Sequence, residues 1–113
     1  MNNNALHILW TNDNVDTSIN MVMMYSKASK THGFWEDVTV IIWGATAKLV
    51  AENKEVRDHI DLARQAGVKF VGCIACAQNL GVVDELTDFG IDLKLMGQPL
   101  RELIKNKEYL ITV

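Results

Sequence analysis

Two cysteines, Cys73 and Cys76, lie three residues apart in the apolar stretch VKFVGCIACAQNLGV of this 113-residue chain. Cys73 ends a run typical of a strand, and Cys76 falls in the first turn of the helix that should follow. The partial positive charge and unpaired N–H groups at a helix N-terminus stabilise a thiolate. In C-x-x-C pairs they can lower the thiol pKa to between about 3.5 and 7.5. The position of the pair therefore makes both cysteines candidates for nucleophilic sulfur chemistry.

Packing is the competing interpretation of both cysteines. Free cysteine is among the most buried residue types and often acts as a small hydrophobic side chain. This argument applies more strongly to Cys76 than to Cys73, whose position at a strand end favours function. The three histidines are scattered and there is no second ligand pair, so we expect no closed metal site within one chain and no cofactor.

Composition limits the class of protein and its compartment. The length predicts a single domain spanning residues 1–113. The net charge of −3 argues against binding nucleic acid through its phosphates. The sequence has neither a signal peptide nor the roughly 20 apolar residues of a membrane span, so we expect no membrane association. Two closely spaced cysteines in an unexported chain are typical of a reducing compartment, and we expect the cytoplasm.

Short apolar runs alternate with helical patterns along the chain. The predicted strands are residues 5–10, 38–43, 68–74, 91–96 and 109–113. The predicted helices begin at Asp16 or Thr17, cover residues 45–66 with a possible break at Asn53, cover 75–80 and 84–89, and begin again at Pro99. This order predicts an α/β fold, a three-layer α/β/α sandwich around a mostly parallel five-stranded sheet.

Ligands of such sheets bind outside the carboxyl ends of the strands, so the loops there should carry the function. Besides the cysteines, these loops supply candidate substrate-binding residues: Asn12, Asn14, Trp43 and Gly44. The asparagines are also common turn formers, and a large aromatic such as Trp43 is often a core or subunit contact. Neither G-x-G-x-x-G nor G-x-x-x-x-G-K occurs, which disfavours nucleotide enzymes of those types.

Other polar and sulfur-containing side chains have simpler interpretations. His7 falls mid-strand and is expected to be a core or interface histidine. His32 and His59 are expected to be solvated. The three helical methionines Met21, Met23 and Met24 are expected to fill the core or an interface.

The segment GCIACAQNLGV, preceded by the strand VKFV and followed by the acidic turn VDEL, resembles the DsrE/DsrF-like (YchN-like) family of small sulfur-relay proteins. The most specific feature is a cysteine eight residues before a Gly-Val pair, here Cys73 and Gly81-Val82. The resemblance extends over most of the chain, through WGATAKLV to the closing PLRELIKNKEYLITV.

The resemblance implies a function and an assembly. In sulfur-relay members the cysteine matched by Cys73 accepts a sulfane sulfur as a persulfide and passes it to a partner, and some YchN-like members have a second cysteine where Cys76 lies. It also implies a homo-oligomer, either a trimer or a hexamer, that meets sulfur donor and acceptor proteins. Two alternatives stay open: a non-catalytic oligomeric binding or scaffold protein with packed cysteines, and a C-x-x-C thiol-disulfide oxidoreductase.

Overall fold

Five parallel strands form the centre of the molecule. The computed structural model describes residues 4–113. The strands are β1 (Ala5–Trp10), β2 (Asp37–Ile42), β3 (Lys69–Cys73), β4 (Asp92–Lys94) and β5 (Tyr109–Thr112). They lie in the order β4-β3-β2-β1-β5, and every pairing is parallel. The predicted α/β fold with a mostly parallel sheet is confirmed, and each strand lies within two residues of its predicted bounds.

Helices fill the crossovers between the strands. They are α1 (Val15–Thr17), a π-helical stretch (Ser18–Met23), α2 (Met24–Thr31), α3 (Ala45–Glu52), α4 (Lys54–Gln65), α5 (Ile74–Leu80), α6 (Val83–Asp88) and α7 (Gly97–Lys105). The predicted break at Asn53 is confirmed, because the Asn53 side chain accepts a hydrogen bond from the Val56 N–H and starts α4. Pro99 is the third residue of α7 rather than the first.

The first helical segment begins earlier than the sequence predicted. Asn14, not Asp16 or Thr17, is the N-cap, and its side-chain oxygen accepts the Thr17 N–H at 2.9 Å. The π-helical stretch that follows has no signature in the sequence. It coincides with the buried Ser18, whose hydroxyl accepts a hydrogen bond from the Trp10 indole N–H at 3.1 Å and donates to the Asn12 carbonyl. Trp10, which is fully buried, is therefore a core residue.

The two faces of the sheet are covered very unequally. One face carries Leu6, Ile8, Val38, Val40 and Phe70, which pack into the main core with the apolar sides of the other helices. The opposite face meets α7, whose Leu103 contacts a smaller cluster around Ile41, and no residue of α7 is fully buried. The third layer of the predicted sandwich is thus a single helix that leaves part of the sheet face open.

None of the helices formed by residues 4–113 has the length and apolar character that crossing a membrane requires.

Gly72 marks a close approach between β3 and β4. A Cβ added there would lie 2.8 Å from Leu93 Cδ2 and 3.3 Å from Ile91 Cγ2. We expect Gly72→Ala to lower the free energy of unfolding by about 1–3 kcal/mol, because the added methyl overpacks a filled site. Urea denaturation measures this change.

Gly97, at the start of α7, is the matched control, since a Cβ there would meet nothing within 4 Å. Gly97→Ala should change the free energy of unfolding by no more than about 0.5 kcal/mol. Equal stability of the two variants would mean that the β3–β4 contact is looser than described.

Candidate functional site

Both cysteines lie at the carboxyl edge of the sheet, as the order of elements predicted. Cys73 is the last residue of β3 and the N-cap of α5, and Cys76 lies in the first turn of that helix. Both thiols are free. Cys73 is 6% exposed and packs with Ile41 and Met96, whereas Cys76 is half-buried.

The two cysteines meet in the turn that joins β3 to α5. The Cys73 sulfur accepts a hydrogen bond from the Cys76 backbone N–H at 3.3 Å. Cys73 Sγ thus occupies the place that a serine or aspartate oxygen takes in an ordinary helix cap, where an orphan N–H favours negative charge.

The electrostatics of Cys76 oppose its ionisation. Burial raises the pKa of the Cys76 thiol, the side-chain hydrogen bond to Cys73 raises it further, and negative charge on Cys73 adds to the effect. The Gly44 N–H, which donates toward the Cys76 sulfur, lowers the pKa without reversing the net rise. The helix N-terminus was expected to favour the thiolate of both cysteines, and for Cys76 this expectation is wrong because desolvation outweighs it. Cys76 is therefore suited to hold a proton beside Cys73.

Two of the four candidate substrate-binding residues meet the cysteine pair. Trp43 is half-buried against the cluster that contains Cys73, and Gly44 contacts Cys76 as described above. The buried Thr46 hydroxyl fixes this turn by accepting the Trp43 N–H at 3.1 Å and donating to the Trp10 carbonyl at 2.7 Å. Gly44 has φ +67° and ψ −132°, a conformation that glycine adopts without steric cost.

Asn12 and Asn14 shape the first loop instead. The Asn12 side-chain oxygen accepts the Asn14 N–H at 2.9 Å, and the Asn14 side chain caps α1. In the part of the chain that the structure describes, no hydrogen bond joins either asparagine to the cysteines. Their contacts are those of turn formers, the alternative that the sequence left open.

Lys94 is a neighbour of Cys73 that the sequence did not reveal. The two residues are Cα partners in the β3–β4 pairing, so their side chains extend on the same face of the sheet. Lys94 is exposed and its Nζ lies 3.6 Å from an Asp92 carboxylate oxygen. Only strand register places this ammonium near the cysteines, and register cannot be read from local sequence.

The histidines lie elsewhere. His7 is half-buried in β1, His32 is exposed as predicted, and His59 is half-buried rather than fully solvated. Among residues 4–113, no cluster of three or more His, Cys, Asp or Glu side chains could hold a metal ion.

The fold and site define a class: a small all-parallel α/β protein with a C-x-x-C pair between a central strand and the helix that follows it. The chain belongs to the DsrE/DsrF-like family, whose model matches residues 6–113. No curated protein matches the chain.

Two solved structures are similar to this one. A conserved protein of unknown function from Bacteroides thetaiotaomicron, BT1422, is 41% identical, with 98% of this chain and 96% of that chain covered and a TM-score of 0.95. The ychN protein from E. coli is 10% identical, with 96% and 99% covered and a TM-score of 0.66, a likeness of fold alone.

The Gly-Val pair that marked the family has a structural reason here. Gly81 ends α5 with φ +72° and ψ +31°, the left-handed conformation that favours glycine. The next residue, Val82, is buried in the main core and its N–H bonds to the Ala77 carbonyl at 2.9 Å. The pair therefore sets the length and exit of the helix that Cys73 caps.

The raised pKa of Cys76 gives a test of the pair. The native alkylation rate of Cys76 by iodoacetamide should rise with pH through a midpoint above the value of about 8.5 for an ordinary thiol. In Cys73→Ala the midpoint should fall, because the hydrogen bond to Cys73 and the charge of Cys73 no longer raise the pKa of Cys76, and only burial still does. Quenched samples, digested and measured by mass spectrometry, give the rate at each pH. A wild-type midpoint at or below the ordinary value would contradict this account.

Proposed function

We propose that this protein is a sulfur carrier, or a sulfurtransferase accessory, in which Cys73 holds a persulfide. The observation that carries the proposal is the cysteine pair itself: Cys73 Sγ caps α5 at the carboxyl edge of the sheet, beside a second thiol that resists ionisation. Membership of the DsrE/DsrF-like family supports it.

The proposed steps conserve atoms and electrons. The Cys73 thiolate attacks the outer sulfur of a donor protein's persulfide, which leaves the donor as a thiolate and gives Cys73–S–SH. An acceptor thiolate then takes the outer sulfur and restores Cys73. If Cys76 attacks Cys73 Sγ of the persulfide instead, the products are a Cys73–Cys76 disulfide and hydrogen sulfide, so the pair releases the sulfur reductively.

The assignment of the roles follows from the position of Cys73 at the N-cap of α5 and from the raised pKa of Cys76, rather than from exposure. Cys76 is the more exposed thiol, yet its raised pKa leaves little thiolate at neutral pH, and the thiolate is the nucleophile. Cys73, at 6% exposure, receives a donor only if the partner reaches past Trp43 and Cys76 or the turn opens locally. We therefore propose a protein donor that docks at this edge, in the cytoplasm.

The burial of Cys73 favours a second candidate, a non-catalytic binding or scaffold protein in which both thiols are packed. It predicts slow alkylation of Cys73 in the native state. Rapid modification of Cys73 at neutral pH, with the fold intact by circular dichroism, would exclude it. The remaining alternative, a thiol-disulfide oxidoreductase, requires that the protein exchange thiols with a disulfide substrate.

A sulfur-loading experiment tests the first candidate directly. After incubation with a cysteine desulfurase and cysteine, the intact protein should gain the mass of one sulfur atom. The adduct should be absent from Cys73→Ser and should persist longer in Cys76→Ser, because the resolving thiol is gone. An adduct retained in Cys73→Ser, or none in any variant, would contradict the proposal.

We also propose that the protein forms a homo-oligomer, a trimer or hexamer. Large apolar side chains are exposed on the side formed by α2 and α4, where Met24 and Leu62 are 57% and 44% exposed. They border a groove of about 460 Å³. A second copy would remove this apolar surface from water.

Light scattering coupled to gel filtration should therefore give three or six times the 12.7 kDa chain mass. Met24→Lys should reduce the assembly, because it places a charge in the apolar groove. Leu95→Lys is the control, since Leu95 is 75% exposed and does not line the groove. A monomeric wild-type protein would refute the proposal.

A further inference from the structure

A second hollow lies on the sparsely covered face of the sheet, between the strands and α7. Its volume is about 410 Å³, within the range of small-molecule sites. The floor consists of side chains from β1, β2 and β3, and α7 forms one wall with Pro99 and Leu103. None of the residues assigned above to the sulfur chemistry lines it.

Three polar side chains form a straight row across the floor. His7 pairs with Thr39 in the β1–β2 register, and Thr39 pairs with Lys69 in the β2–β3 register. In-register neighbours point to the same face, and adjacent strands lie about 4.8 Å apart. An imidazole, a hydroxyl and an ammonium therefore stand side by side, and all three can donate hydrogen bonds.

The next row toward the carboxyl ends is apolar. Two residues along each strand, about 6.6 Å away, Ile41 pairs with Val71. Met96 and Leu103 complete this part of the hollow. The floor thus changes from the His7–Thr39–Lys69 row to an apolar row, and the Lys94 ammonium of β4 lines the hollow beyond it.

Within the part of the chain that the structure describes, His7 Nδ1 and the Lys69 ammonium at the polar end lack protein partners. His7 Nδ1 is buried and makes no hydrogen bond to residues 4–113. A buried nitrogen without a partner lowers the stability of the fold whether or not it carries the proton. Within residues 4–113, Lys69 forms no ion pair. Two acidic side chains also line the hollow: Glu102 of α7, and Glu108 in the turn before β5, the strand three positions from β3 in the sheet.

We propose that this hollow binds a small organic carboxylate, with its charged head on the His7–Thr39–Lys69 row and its apolar body over Ile41 and Val71. This site does not rest on the sulfur chemistry, and the ligand's tail points toward Met96, which packs against Cys73.

Three probes with one tail test the proposal on the full-length protein: hexanoate, hexanol and hexylamine. Titration by isothermal calorimetry, with backbone amide shifts followed by NMR, should show saturable binding of hexanoate that moves the signals of Thr39, Lys69 and Val71. Hexanol should bind at least about threefold more weakly, because it lacks the charge that pairs with Lys69 and a partly exposed ion pair contributes about that much affinity. Hexylamine, which carries the opposite charge, should bind more weakly still.

Variants locate the head group. Lys69→Met should weaken hexanoate about threefold or more and leave hexanol unchanged. Lys54→Met, on the distant α4, should change neither affinity.

Any of four results would overturn the inference: no saturable binding of hexanoate, equal binding of hexylamine, shifts confined to the α2–α4 groove, or a loss in Lys94→Met that exceeds the loss in Lys69→Met. The last would place the head at the opposite end of the hollow. Thermal melting of each variant confirms that a lost affinity is not a lost fold.

Discussion

All strands run in the same direction, and this single constraint organises the molecule. Each strand must be followed by a crossover that returns the chain to the opposite end, so every carboxyl end opens into a loop or helix at the same edge. Cys73, Gly44 and Asn14 reach that edge from three different strands. A site can form there without any of its residues being close in sequence, while the buried core on the main face holds the strands in register.

The two cysteines differ in their surroundings because of that arrangement. Two similar thiols three residues apart become different because one caps α5 and the other lies above it, next to Gly44. Desolvation and the neighbouring sulfur both raise the pKa of the Cys76 thiol. The same edge that presents Cys73 also buries it, in a cluster with Ile41 and Met96 against which Trp43 packs.

Most of the architecture could be predicted from local sequence, and most of the site's surroundings could not. The β-branched run of residues 38–42 and the cap at Asn53 have short-range causes, so the local sequence predicts both. The pairing of Cys73 with Lys94, and the row formed by His7, Thr39 and Lys69, depend on strand register, which packing of the whole core decides. The π-helical stretch begins at Ser18, which is buried beside Trp10, a tertiary contact that the sequence of the helix does not reveal.

The pairing of β1 with β5 joins the two most distant parts of the described chain, with Leu6 opposite Tyr109, and Val113 bonds back to Leu9 and Thr11. During synthesis, β1 can assemble with β2 and β3 while β5 is still inside the ribosome. Its free edge then offers unpaired N–H and C=O groups to any neighbouring nascent chain. Until β5 pairs with it, the β1 edge therefore stays open to such pairing.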